Sequence, residues 1–197
     1  IIRIPGTGYE NSWNIWVYPS NQLKIEEGVI GDILVVRDKV TLEQAKNGSR
    51  PVLYIPYHKD IAERTVGGLF TTDFWNYGVF KGVAENMKKE PSPGTMGLLM
   101  NPTHPLFEKF PTDFHTNWQW WNIVKHSRPI ILDDMPKEYL PIIQVIDNIE
   151  RNHKLGLLYE LPGTTSKVLV CTADLFACAD EPEVKAFFQS LLNYLRQ

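Results

Sequence analysis

The chain has 197 residues, 43% hydrophobic and 12% aromatic, which supplies a full core for one domain and excludes a disordered segment. Its net charge of −3 and pI of 6.0 leave no cationic excess to neutralise phosphates, which argues against a nucleic-acid partner. No apolar run approaches the ~20 residues of a membrane-spanning helix, and no charged-then-apolar leader opens the chain.

The opening, IIRIPGTGYENSWNIWVYP from Ile1 to Pro19, places Ile2, Ile4, Trp13, Ile15 and Val17 at period-two spacing around a Gly-rich bend. This pattern predicts two short strands joined by a turn. Such a pair is marginal alone in water, so it either docks on the rest of the domain or completes a sheet belonging to a longer polypeptide. A polar stretch, Ser20 to Glu27, follows. Ile33 to Val36 then reads as a buried strand, and a helix is expected after it, with Thr41 as cap, Gln44 completing a capping box and Gly48 as the stop. Asn47-Gly48-Ser49 matches a glycosylation acceptor, but Asn-Gly is foremost a turn signal.

Val52 to Ile55 resumes a strand, and the strand–helix–strand order implies a parallel pair with a right-handed crossover. Further strands are expected at Met96–Met100, Pro129–Leu132, Pro141–Ile146, Lys154–Leu161 and Lys167–Thr172, the last two antiparallel across the turn PGTTSK. Helices are expected from Phe74 to Lys89, from Asn117 to His126, and at the end. There Val184, Phe187, Phe188, Leu191, Leu192 and Leu195 share one face, behind a capping box of Asp180 and Glu183. The expected architecture is a three-layer α/β domain with a mostly parallel sheet over residues 28–197, preceded by a β appendage and linker over residues 1–27.

Familiar catalytic motifs are missing. Neither GTGYENS nor PGTTSKV has the order of a phosphate loop, and Val66-Gly67-Gly68 lacks the third glycine of a dinucleotide fingerprint. No Ser or Cys sits on a tight turn after Val52–Ile55. His58, His104, His115, His126 and His153 show no i, i+4 pairing, so neither a metal nor a cofactor is expected. Cys171 and Cys178 read as two buried thiols, with a disulfide between them as the alternative.

The densest chemical cluster is Phe114 to Trp121, FHTNWQWW. Trp118, Trp120 and Trp121 cannot all face one side of a helix, because neighbouring residues diverge by about 100°. At least one therefore points away from the core, beside the polar His115 and Asn117, in an arrangement suited to stacking on sugars or to packing against a neighbouring domain. FTTDFWNYG, with Asp73, Trp75 and Asn76, has the same character. Asp147, Glu150 and Asp174 lie near predicted strand ends, where parallel sheets place ligands, and Asn152 follows Asp147 closely. A small hydrolase using Asp or His groups at that edge is a third reading, and it requires a pocket there.

The motifs NSWNIWVYP, FWNYGVF, GTMGLLMNPTHPLFEKFPT, FHTNWQWW and IIQVIDNIERNHKLGLLYE together resemble the C-terminal region of large, β-galactosidase-like or sugar-binding family 2 glycoside hydrolases of gut Bacteroidetes. The portion after Gly28, through NPTHPLFEKFP and KVLVCTADL, is similar to the flavodoxin-like, class I glutamine amidotransferase-like fold. The resemblance implies a non-catalytic accessory domain that follows β-sandwich and barrel domains of one periplasmic or extracellular polypeptide. Its implied partners are those preceding domains, oligosaccharide and further copies of itself. The amidotransferase cysteine is not at the turn near Tyr57, and the family 2 catalytic glutamates belong to the barrel, so no catalytic residue carries over. The alternative is a carbohydrate-binding module with Trp75, Trp118, Trp120 and Trp121 as stacking platforms.

Overall fold

The computed structural model describes residues 1–70 and 75–197. Asp73 and the first residue of the helix expected from Phe74 lie outside the described residues. Among the described residues no helix is long and apolar enough to cross a membrane.

The chain opens with a two-stranded antiparallel ribbon, β1 (Ile2–Arg3) and β2 (Glu10–Asn11), tied by a 2.6 Å Arg3–Glu10 ion pair. The second strand expected from Trp13, Ile15 and Val17 does not form. That segment takes part in no strand pairing among the described residues, and it is anchored where the Tyr18 ring stacks on Phe110 and its hydroxyl donates to Gln119 Oε1 at 2.9 Å.

The main sheet contains β3 (Gly28–Ile30), β4 (Ile33–Val36), β5 (Val52–Tyr54), β6 (Gly97–Met100), β7 (Ile130–Ile131), β8 (Ile143–Ile146), β9 (Leu155–Glu160) and β10 (Val168–Cys171). Its order is β3-β4-β5-β10-β9-β8-β6, with β7 paired to β9. The expected parallel pair β4/β5 is present, and β5/β10 is parallel too. The sheet as a whole is mixed rather than mostly parallel, because β3/β4, β10/β9, β9/β8, β7/β9 and β8/β6 all run antiparallel. Apolar strands buried on both faces have the same composition in either direction, so the run of β6, β8 and β9 carries no orientation signal. The turn between β9 and β10 does carry one, and that pair is antiparallel as expected.

Alternation along β5 divides the core. Leu53 and Ile55 join the larger apolar cluster under α5 (Pro182–Leu195), while Val52 and Tyr54 join a second cluster with Leu42 of α1 (Lys39–Ala45). Helices thus cover both sheet faces. All six periodic residues expected on the inner face of α5 are buried. Its capping box does not form: Glu183 instead accepts from Asn122 Nδ2 at 2.7 Å, and Pro182 starts the helix. Likewise α1 is capped by Asp38, whose Oδ1 accepts from the Thr41 backbone N–H at 2.8 Å, so Thr41 is the donor and not the cap. Between them come a short α2 (His58–Ile61), α3 (Tyr77–Asn86) and α4 (Trp121–Lys125). The last is preceded by a 3₁₀ turn at Trp118–Trp120, which together fill the helix expected over 117–126. Cys171 and Cys178 are free, buried thiols.

Candidate functional site

β6 is an edge strand of the main sheet, and the chain returns along its open side. Met100 N–H donates to Phe114 O at 3.1 Å, Leu98 N–H to Thr116 Oγ1 at 2.8 Å, and His115 bridges to Leu99. This pairing fixes the segment 114–116 and delivers the tryptophan cluster just beyond it.

In that cluster the three tryptophans separate as their spacing requires. Trp120 is fully buried among Phe107, Phe110 and Phe187, and its indole N–H donates to Thr112 Oγ1 at 2.8 Å, so it is a core residue and not a stacking platform. Trp118 and Trp121, three residues apart and hence on one helical side, remain 78% and 50% exposed. Gln119 is buried, donating to Pro111 O and accepting from Tyr18.

Trp118 and Trp121 line a cavity of about 550 Å³ together with Asp113, His115, Thr116 and Asn117. Ser12, Trp13, Asn14 and Trp16 from the N-terminal segment line it too, with Leu69 and Phe70. Asn117 Nδ2 donates to Asp113 Oδ2 at 2.8 Å, while Asn117 Oδ1 is buried with no hydrogen-bond partner among the described residues. Four indoles thus share one cavity with the polar side chains of Asp113, His115, Thr116 and Asn117, so aromatic faces and hydrogen-bonding groups stand side by side.

The remaining predicted site residues lie elsewhere. Trp75 is exposed with its ring edge-on to Phe80, and Asn76 precedes α3 without capping it; neither lines the cavity. Asp147 is a structural carboxylate. It accepts from Asn148 N–H, from His153 N–H and from Arg151 at 2.5 Å, and so ties down the loop after β8. Asn152 occupies the left-handed region at φ +50° in that loop, a conformation that asparagine tolerates. Sequence reasoning missed Trp13, Trp16 and Asp113 as members of the site. The two tryptophans had only residue type as a signal, because they meet the site through tertiary contact, whereas Asp113 stands next to the cluster, four residues before Asn117.

A second cavity, of about 600 Å³, lies beyond the carboxyl ends of β5 and β10, where the hydrolase reading needs one. His58, His126, Arg128 and Asp174 line it. The carboxylate that reading requires is engaged: Asp174 receives Arg37 at 2.7 Å. His58 Nε2 faces Thr172 O at 3.1 Å and His126 Nδ1 faces Asn122 O at 2.8 Å, committing one nitrogen of each ring to the backbone. Burial lowers the His58 pKa below its ordinary value.

A family model described as a domain of unknown function, DUF8487, matches residues 34–197. No curated protein matches the chain.

Proposed function

The chain belongs to the DUF8487 family, and from that premise we propose that it is a non-catalytic accessory domain of a periplasmic or extracellular glycoside hydrolase that holds saccharide in its tryptophan-lined cavity. The observation that carries this reading is the convergence of Trp13, Trp16, Trp118 and Trp121 on one cavity with Asp113, His115 and Asn117. Indole faces stack on the C–H faces of pyranose rings while the polar groups meet ring hydroxyls. The resemblance of FHTNWQWW and its companion motifs to the C-terminal region of family 2 enzymes supports the same reading.

The non-catalytic part of the reading is supported by the state of the groups that chemistry would use. Burial pushes the Cys171 and Cys178 thiols up to about 12, far from a thiolate nucleophile. Asp174 is engaged in an ion pair with Arg37.

Titration of intrinsic tryptophan fluorescence with neutral oligosaccharides tests the proposal. A saturable change that disappears in Trp121→Ala is expected, and a flat response in the wild-type chain overturns it.

A second reading, domain packing or self-association, is favoured by a separate observation. Ile1, Ile2, Ile4, Tyr9, Ile15 and Val17 are all exposed along the N-terminal segment, a concentration of apolar side chains in one short stretch of chain. Sedimentation velocity separates the two: a monomer that binds sugar supports the cavity, and a dimer lost on Ile15→Lys supports packing.

A further inference from the structure

We infer that the tryptophan-lined cavity selects neutral saccharides, through hydroxyls that donate to Asn117 and Asp113, and rejects sugars carrying a carboxylate; this rests on the saccharide reading above. The argument begins with the orientation of one amide. Asn117 Nδ2 lies 2.8 Å from Asp113 Oδ2. An ionised carboxylate only accepts, so the NH₂ end must face Asp113 and the carbonyl end must face away. That carbonyl oxygen, Asn117 Oδ1, is buried and meets no donor among the described residues. A buried acceptor left unmatched is costly, and an occupant of the cavity that Asn117 lines removes the cost once the amide turns to meet its O–H or N–H.

The charge of the lining sets the second half of the inference. Asp113 is its carboxylate, and among the described residues no lysine or arginine lines the cavity. Asp113 therefore gives the lining a negative group, complementary to hydroxyl donors, beside the imidazole of His115. A ligand carboxylate placed there meets like charge beside the indole faces, and the repulsion opposes its binding. Such repulsion discriminates more sharply than any loss of stacking, because the apolar face of a sugar ring is unchanged by oxidation at C6. Aromatic cages also accept quaternary ammonium ions. Such an ion has no N–H to offer and leaves Asn117 Oδ1 unmatched, so the amide favours the sugar.

The test is calorimetric and fluorescence titration of the whole chain with neutral tetrasaccharides of β-1,4-linked glucose, mannose and galactose, with the same compounds oxidised at C6 to uronates, and with tetramethylammonium. The expected result is saturable binding of at least one neutral tetrasaccharide and binding at least about tenfold weaker for its uronate. Asp113→Asn retains an acceptor for Asn117 and removes the charge, so it should weaken the neutral sugar, whose hydroxyl loses a carboxylate acceptor, and narrow that ratio by a factor of several. Uronates that bind as tightly as neutral sugars overturn the selectivity and leave the saccharide reading standing. A response to tetramethylammonium alone, or to no ligand, overturns both.

Discussion

Arg37 reaches from the end of β4 across the carboxyl edge of the parallel strands to Asp174, which follows β10, and its Nη2 lies 2.7 Å from Asp174 Oδ1. The guanidinium sits between the rings of Tyr57 and Phe176, 4.2 and 4.4 Å from their centroids, and its Nε donates to Ile55 O. Removing one partner of a largely buried pair leaves the other charge uncompensated. Arg37→Met should therefore lower unfolding free energy by about 3 kcal/mol in urea titration. Arg37→Lys keeps the charge but loses the planar stack, and it should recover only part of that loss. A wild-type midpoint in Arg37→Met would show that the pair contributes nothing.

The tryptophans should divide by role. Trp120→Ala empties a site between Phe107, Phe110 and Phe187 and should cost about 3–5 kcal/mol. Trp118→Ala and Trp121→Ala remove exposed rings and should change stability by no more than about 0.5 kcal/mol while abolishing any sugar response. Thermal unfolding of the three variants measures this, and a large loss on Trp118→Ala would contradict the assignment.

Both thiols should be inert in the native protein. Cys171 is fully buried, and both sulfurs donate to backbone carbonyls, Cys171 to Ala173 O and Cys178 to Asp174 O. Labelling with a thiol-specific disulfide reagent at pH 8 should proceed only as fast as the chain opens and should reach two groups in denaturant. Rapid labelling of either residue without denaturant would overturn this.

Stability should fall as pH drops below the ordinary histidine range. Burial disfavours the imidazolium of His58 and, less deeply, of His104, so each has a lowered pKa in the folded chain. The unfolded chain then takes up protons first. The stabilisation is complete above the unfolded value near 6.5 and is lost progressively as pH falls from there toward the folded values. His58→Gln should flatten the stability profile between about pH 7 and 5.5, with His104 supplying what slope remains. An unchanged profile would remove His58 as a source.

Gly68 is required by its neighbour. A Cβ built there falls 1.8 Å from Ser127 Oγ, on a backbone whose Gly68 N–H donates to Ser127 O at 3.0 Å. Gly68→Ala should destabilise by about 2 kcal/mol through overpacking, and Ser127→Gly in the same chain should recover part of it. Denaturation of the two variants decides, and a neutral Gly68→Ala would show that the segment shifts without strain.

Much of this was legible in residue order. The apolar runs at Ile33–Val36, Leu155–Glu160 and Val168–Cys171 announce strands because burial on both faces demands continuity. The period of α5 announces which of its faces is buried. The divergence of Trp118 from Trp120 follows from helical rotation alone. Strand direction in β6 and β8 was not legible, since it depends on connections rather than on strand composition. The cap of α1 was misread because Asp38 and Thr41 stand three apart and either can accept; only backbone geometry decides which turns inward. The cavity was half visible: its 113–121 side is one cluster, while Trp13 and Trp16 meet it through tertiary contact that no local pattern reports.

The segment Phe114–Thr116 also occupies the outward amides of Leu98 and Met100 on β6. Left bare, that border would be a template on which a foreign strand could add. The stretch that presents the tryptophans is thus also a shield against runaway strand addition. A chain that loosens it to reshape its cavity would expose a sticky margin, and its solubility would suffer before its fold did.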